Sequence, residues 1–282
     1  MRNSTAPAVS RFQLTPPDIS AAKRQIDGLE LRGVSFRGTA HEFFDEPRQD
    51  SFAFAANDKW VVLAVSDGIG SCQSSHHGSA AAVTAIAAAV ETGALDPQDG
   101  AEVLVTAADA GRQAAEALVL PTDSVSATLT VAAVERTPQD DGSRHTIIHV
   151  AGDSPALLLH PVDARWTYLT PRDDGPSNVV RSWVPDRAHD YVSFGFHLPA
   201  TAVLVLASDG FTTPLGDGQG PLGADLAARW GPGPRDLLPF LVDLSFNAYH
   251  DDKTVVALWN PGAQNAAERV STGEPENSCA DE

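Results

Sequence analysis

The chain has 282 residues, 43% of them hydrophobic, which is enough for one large core or two small ones and too many for a disordered or fibrous protein. Acidic residues outnumber basic ones 37 to 19, a formal charge of −18 that repels nucleic acid and anionic lipid and attracts cations. Two cysteines, Cys72 and Cys279, exclude a disulfide scaffold and a four-cysteine zinc site, and no apolar run approaches the ~18–20 residues of a membrane span.

Residues 1–27 mix Pro7, Pro16 and Pro17 with Ser, Thr and scattered charges, and read as an N-terminal arm, poorly ordered at its start. Nothing there resembles a signal peptide, so the expected location is cytoplasmic. Phe52–Ala56 and Trp60–Val65 are short runs rich in aromatic and β-branched residues around Asn57-Asp58-Lys59, a hairpin pattern. Gly78–Glu91 places Val83, Ile86, Ala87 and Val90 on one helical face, and a second helix fits 98–118. Ser124–Val134 then alternates apolar and polar residues with the period of a strand. A turn at Gln139–Ser143 leads to three more strands, His145–Val150, Ala156–His160 and Trp166–Leu169. Residues 171–200, rich in Pro and Gly, read as a long functional loop or small flap. Val203–Ala207 is a buried strand, Gly223–Trp230 and Pro234–Tyr249 are helices, and Thr254–Trp259 is a last strand. Residues 261–282 form an acidic tail with few large apolar side chains, so the folded domain spans about 28–260. Hairpin-paired strands with helices in two blocks predict an α+β layered sandwich.

Asp-Gly is usually a turn, and the chain has seven such pairs, so context must select among them. In two, a wholly apolar strand runs straight into Ser-Asp-Gly: Trp60–Ser66 into Asp67-Gly68, and Val203–Ser208 into Asp209-Gly210. Asp50 opens the Asp-Ser-Phe-Ala-Phe strand, Asp153 lies between two strands in Gly152-Asp-Ser154, and Asp251 precedes the last strand. Each alone is most simply a turn former. Five together, with few cationic side chains nearby, favour a shared cluster. Two carboxylates ~4 Å apart repel by ~4 kcal/mol at an effective dielectric of ~20, and divalent ions are the simplest remedy. Oxygen donors without Cys or paired His point to Mg²⁺ or Mn²⁺.

Asp50-Ser-Phe, Ser66-Asp-Gly-Ile-Gly-Ser71, Gly152-Asp-Ser154, Ser208-Asp-Gly210 and Asp251-Asp-Lys-Thr254, in this order, resemble the metal-dependent (type 2C) serine/threonine protein phosphatases over about residues 33–259. Gly38-Thr-Ala-His41 followed by Gln49-Asp50 is similar to the bacterial branch of that family, with its Gly-x-x-His and Gln-Asp motifs. The resemblance implies a four-layer α/β/β/α sandwich, two antiparallel sheets flanked by helices, with two metal ions at the sheet edges. It implies that Asp67 bridges both ions, that the Gly68 carbonyl binds one, that Asp209 and Asp251 complete the first site and that Asp50 supports the second. Asp153 resembles the residue that holds a third, weaker ion. The implied reaction is hydrolysis of phosphoserine or phosphothreonine monoesters in a phosphorylated protein by metal-activated hydroxide.

Two departures weigh on this. Many members carry a phosphate-gripping Arg five residues before the position of Asp50, where this chain has Asp45; its nearest Arg is Arg48. Where some members have a His directly after Asp-Gly, this chain has Ile69. His41 is the candidate to contact phosphate or protonate the leaving group, with a backbone-bonded structural role as its alternative. His76 and His77 are solvated helix-entry residues or an anion site, and Cys72 is a small buried thiol. The rival functions are a regulatory pseudophosphatase and a hydrolase of small phosphate esters. The strong negative charge argues for a monomer at low salt.

Overall fold

The structure, a computed structural model, describes residues 16–170, 182–246 and 250–260. The N-terminal 15 residues, residues 171–181 of the expected flap and the acidic tail lie outside these.

Two antiparallel sheets face each other. The first runs β1(Ile19–Ile26), β2(Leu29–Phe36), β11(Lys253–Trp259), β10(Val203–Ala207), β7(Ala156–His160), β8(Arg165–Tyr168) in spatial order. The second runs β3(Ser51–Ala56), β4(Trp60–Ser66), β5(Leu129–Glu135), β6(Arg144–Ala151), β9(Val192–Leu198). Leu29, Leu31, Val61, Leu63, Ile148, Leu204, Leu206 and Leu258 fill the space between them. Helices α2(Ser75–Glu91) and α3(Gly100–Leu118) cover the outer face of the second sheet through Ile86, Val103, Val62 and Val131. On the outer face of the first sheet, α4(Asp209–Leu215), α5(Pro221–Trp230) and α6(Leu237–Asp243) pack Phe211, Trp230 and Phe240 against Val203, Val205 and Trp259. The result is the expected four-layer α/β/β/α sandwich. Successive residues of β10 point into different cores, so the strand is apolar at every position rather than alternating.

The sequence misjudged several elements. Residues 19–26, assigned to the arm, form edge strand β1, joined to β2 by Asp27-Gly28, both with positive φ (47° and 79°), as a two-residue hairpin turn requires. An edge strand with little to bury carries Lys23, Arg24 and Gln25, and so hides among loop residues. Likewise β9, inside the expected 171–200 loop, is an edge strand whose Phe194 and Phe196 pack inward while Ser193, Gly195 and His197 dilute the pattern. The strand expected from Ser124 begins at Leu129, after a 3₁₀ turn over Thr122–Val125, and α6 ends at Asp243. Residues 247–249 of the helix expected to reach Tyr249 lie outside the described residues. No described helix is long and apolar enough to cross a membrane.

Candidate metal centre

Register brings the aspartates together. In the second sheet Ser51 pairs with Ser66, so Asp50, just before β3, lies beside Asp67, just after β4. In the first sheet Ala207 pairs with Val255, which sets Asp209 after β10 beside the Asp251-Asp252 turn before β11. That pairing is extended by the Ser208 N–H donating to the Thr254 carbonyl (3.0 Å) and the Thr254 N–H donating to Ser208 Oγ (2.9 Å). Asp153 arrives on the link between β6 and β7, where the chain crosses from one sheet to the other.

Polar side chains brace each arm. Thr128 Oγ1 accepts from the Asp67 N–H at 3.0 Å and lies 2.8 Å from Ser154 Oγ, tying Asp67 to the Asp153 turn. Ser66 Oγ donates to the Thr128 carbonyl at 2.5 Å. Ser75 Oγ, from α2, donates to Gln49 Oε1 at 2.8 Å, while Ser79 Oγ donates to the Gln49 carbonyl. Gly210 is needed for close approach, since a Cβ there would stand 1.9 Å from the Asp252 carbonyl oxygen.

The electrostatics are those of uncompensated negative charge. Asp50 is 1% exposed, and neither of its carboxylate oxygens has a hydrogen-bond partner; nor does the buried Oδ1 of Asp209. Burial, aided by the Asp252 charge, pushes Asp50 up to about 7. Burial together with Asp251 and Asp153 does the same to Asp209. Asp67 is driven well above the usual carboxylate range by burial and by Asp50 and Asp209, and burial raises Asp251. Charge thus links the five expected aspartates in a chain: Asp50 to Asp67, Asp67 to Asp209 and Asp251, and Asp209 to Asp251 and Asp153. Arg48, buried beside Asp50, has no acceptor for Nε or Nη1.

These donors fit hard divalent ions: oxygen atoms, orphaned and mutually repelling, are what such ions stabilise. Among the described residues no three His, Cys, Asp or Glu side chains close into a ready cage for one ion. Mg²⁺-type sites seldom need one, because such ions use one or two carboxylates and keep several waters.

Asp252 is the residue the sequence reading passed over. Its carboxylate is buried and accepts from the N–H groups of Gly38 (2.6 Å), Gln49 and Asp50 (3.3 Å). It also meets His41 Nδ1 at 2.8 Å. One side chain therefore pins both feet of the 38–50 loop and orients the buried His41, on α1(Thr39–Phe43). The hydrogen bond to Asp252 raises the imidazole above its ordinary 6.5. The doubled Asp-Asp was the available sign, since a lone ligand does not require a second acid. His76 and His77 sit in the first turn of α2 with rings 4.0 Å apart, and burial lowers His76 to about 4, which disfavours an anion-binding imidazolium. Cys72 is a half-buried free thiol.

Residues 37–237 match the family model described as protein phosphatase 2C. Among curated proteins none matches in sequence. Solved structures share the fold. The S. agalactiae serine/threonine phosphatase is 16% identical with a TM-score of 0.59, over 82% of this chain and 99% of its own. RsbX in complex with magnesium is 15% identical (TM-score 0.57; 85% and 99%). PppA, a regulatory component of the T6SS in Pseudomonas aeruginosa, is 18% identical (0.55; 82% and 97%).

Proposed function

The chain belongs to the protein phosphatase 2C family, and on that premise we propose that it hydrolyses phosphoserine and phosphothreonine monoesters in proteins with the help of divalent metal ions. The observation that carries this is the set of buried, partnerless oxygens of Asp50 and Asp209, raised to about 7 in a cluster of like charges. Such a cluster is costly unless cations complete it. Asp67 would bridge two Mn²⁺ or Mg²⁺ ions, with the Gly68 carbonyl, Asp209 and Asp251 on one and Asp50 supporting the other; Asp153 would hold a third, weaker ion. When bound, the ions neutralise the carboxylates, lower the pKa of water and draw in phosphoryl oxygens.

The protein's own groups supply orientation and a proton. Asp252 receives His41 Nδ1 and keeps the imidazole protonated to higher pH, which leaves Nε2 to donate to the departing serine or threonine oxygen. Nε2 stands 3.9 Å from Glu46 Oε2. The substrate is a phosphorylated protein, and we place the activity in the cytoplasm, on a monomer.

The test is hydrolysis of a phosphothreonine peptide by chelator-treated protein, with and without Mn²⁺. Asp67→Asn and Asp209→Asn should each lose manganese-dependent turnover; unchanged turnover in both refutes the reading. Asp45 at the position of the usual phosphate-gripping Arg favours a second reading, a regulatory pseudophosphatase, which binds Mn²⁺ by calorimetry without turning over any ester. Turnover of p-nitrophenyl phosphate but of no peptide would instead mark a small-ester hydrolase.

A further inference from the structure

Between Gly38 and Asp50 the chain leaves the site and returns, exposing five consecutive residues, Glu42-Phe43-Phe44-Asp45-Glu46. Phe43 is 82% and Phe44 67% exposed, and their rings meet edge to face at 5.0 Å. Neither joins any of the three cores. The turn that presents them is firm: the Phe44 N–H donates to the Ala40 carbonyl at 3.0 Å and the Glu46 N–H to the His41 carbonyl at 2.8 Å. Both feet of the loop are held by Asp252. A rigid, water-facing aromatic pair has the character of a binding anchor, since large aromatics dominate interface energetics.

Its surroundings specify the partner. Glu42, Asp45 and Glu46, all exposed, flank the pair in sequence, and among the described residues neither Glu42 nor Asp45 enters an ion pair. Of the arginines nearest in sequence, Arg37 bonds Asp18 and the His41 carbonyl and Arg48 is buried, while Glu46 stands 3.9 Å from His41 Nε2. A second copy of this acidic chain would bring like charge against like charge, whereas a basic segment with an apolar side chain complements the patch. Phe44 lies six positions before Asp50, at most about 22 Å of chain. An extended peptide advances ~3.3 Å per residue, so side chains up to about six positions from a phosphorylated residue can reach the pair.

We propose that Phe43 and Phe44, with the acidic side chains around them, form the docking surface for the substrate polypeptide and select an apolar residue flanked by Arg or Lys within about six positions of the phosphorylated residue. The proposal rests on the phosphatase reading, and two substrates separate the failure of one from the failure of the other. A phosphothreonine peptide carrying Leu and Arg on both flanks is compared with one carrying Ala and Glu there, beside p-nitrophenyl phosphate, for the wild type, the Phe43→Ser/Phe44→Ser double variant and Glu42→Gln/Asp45→Asn. The expected result is a preference for the Leu-Arg peptide that weakens with salt. In the Phe variant its KM should rise roughly tenfold (about 1.4 kcal/mol) with kcat and p-nitrophenyl phosphate turnover unchanged. The acidic-rim variant should lose the preference for Arg alone. Intact ester turnover with a peptide KM that neither variant moves overturns docking but leaves the phosphatase standing. If nothing is hydrolysed, the phosphatase reading fails, and titration of a fluorescent Leu-Arg peptide decides docking by whether the Phe variant weakens its Kd. A wild-type dimer that the Phe variant dissociates in sedimentation assigns the patch to a second copy and refutes the proposal.

Discussion

Replacing Asp50 by Asn should stabilise the metal-free protein at neutral pH while reducing the stabilisation that metal confers. Asp50 is 1% exposed, without a hydrogen-bond partner for either oxygen, and its acid is raised from 3.8 to about 7. The native state therefore holds a proton that the unfolded chain has released. Stability of the metal-free protein must fall as pH rises from about 4 through 7, with the full cost reached above 7. The difference between 3.8 and about 7 corresponds to roughly 4 kcal/mol at ~1.36 kcal/mol per pH unit. Arg48 is within charge range but bonds nothing through Nε or Nη1, so it does not cancel the penalty. Asn carries no charge, yet its amide is buried without a partner at ~1–2 kcal/mol, which leaves a net gain of about 2–3 kcal/mol. For a domain of this size that is a rise of about 5–10 °C in Tm. The assay is thermal denaturation in chelator at pH 5 and 7.5, then with Mn²⁺ at pH 7.5. Wild type and Asp50→Asn should nearly coincide at pH 5 and diverge at 7.5 with the Asn variant the more stable, and Mn²⁺ should raise the wild type more. A metal-free wild type whose Tm does not fall between pH 5 and 7.5, or an Asn variant that melts lower at pH 7.5, would refute the claim that the cluster lacks compensation.

Other outcomes follow from the same geometry. Asp252→Ala strands the N–H groups of Gly38, Gln49 and Asp50 and should cost about 3–5 kcal/mol in denaturant unfolding, whereas Asp252→Asn, which can still accept with one oxygen, should cost less. His41, raised above 6.5 by its bond to Asp252, contributes stability that is complete below 6.5 and is lost as pH climbs through its folded value. NMR titration of His41 should therefore give a value above 6.5 that drops on Asp252→Asn. Gly210→Ala drives a methyl group into the Asp252 carbonyl 1.9 Å away, and should weaken Mn²⁺ binding in calorimetry by at least tenfold by parting Asp209 from Asp251.

Much of the architecture was legible because secondary structure and burial leave a local imprint. Continuous apolar runs marked β4, β7 and β10, and period-3.6 stripes marked α2 and α3, within a few residues of their observed bounds. Edge strands β1 and β9 escaped because a strand with one partner and a wet face need not be apolar. The short α1 and α4 were missed for a different reason: five- and seven-residue helices are too brief to show a periodic stripe.

The site divides along the same line. Residue order alone determined that several aspartates end or begin apolar strands, because a strand that leaves the core must surface at a polar residue, and that their donors suit a hard cation. Which of those strand ends share one rim was decided only by pairing between residues far apart in the chain: Ser51 with Ser66, and Ala207 with Val255. The same holds for Asp252, which reads as one more acid in a turn until folding sets it against Gly38, His41 and Gln49, about 200 residues earlier. Local pattern records whether a side chain meets water or core; which distant group it meets depends on strand register and on how two sheets stack, and that is a property of the whole packed chain.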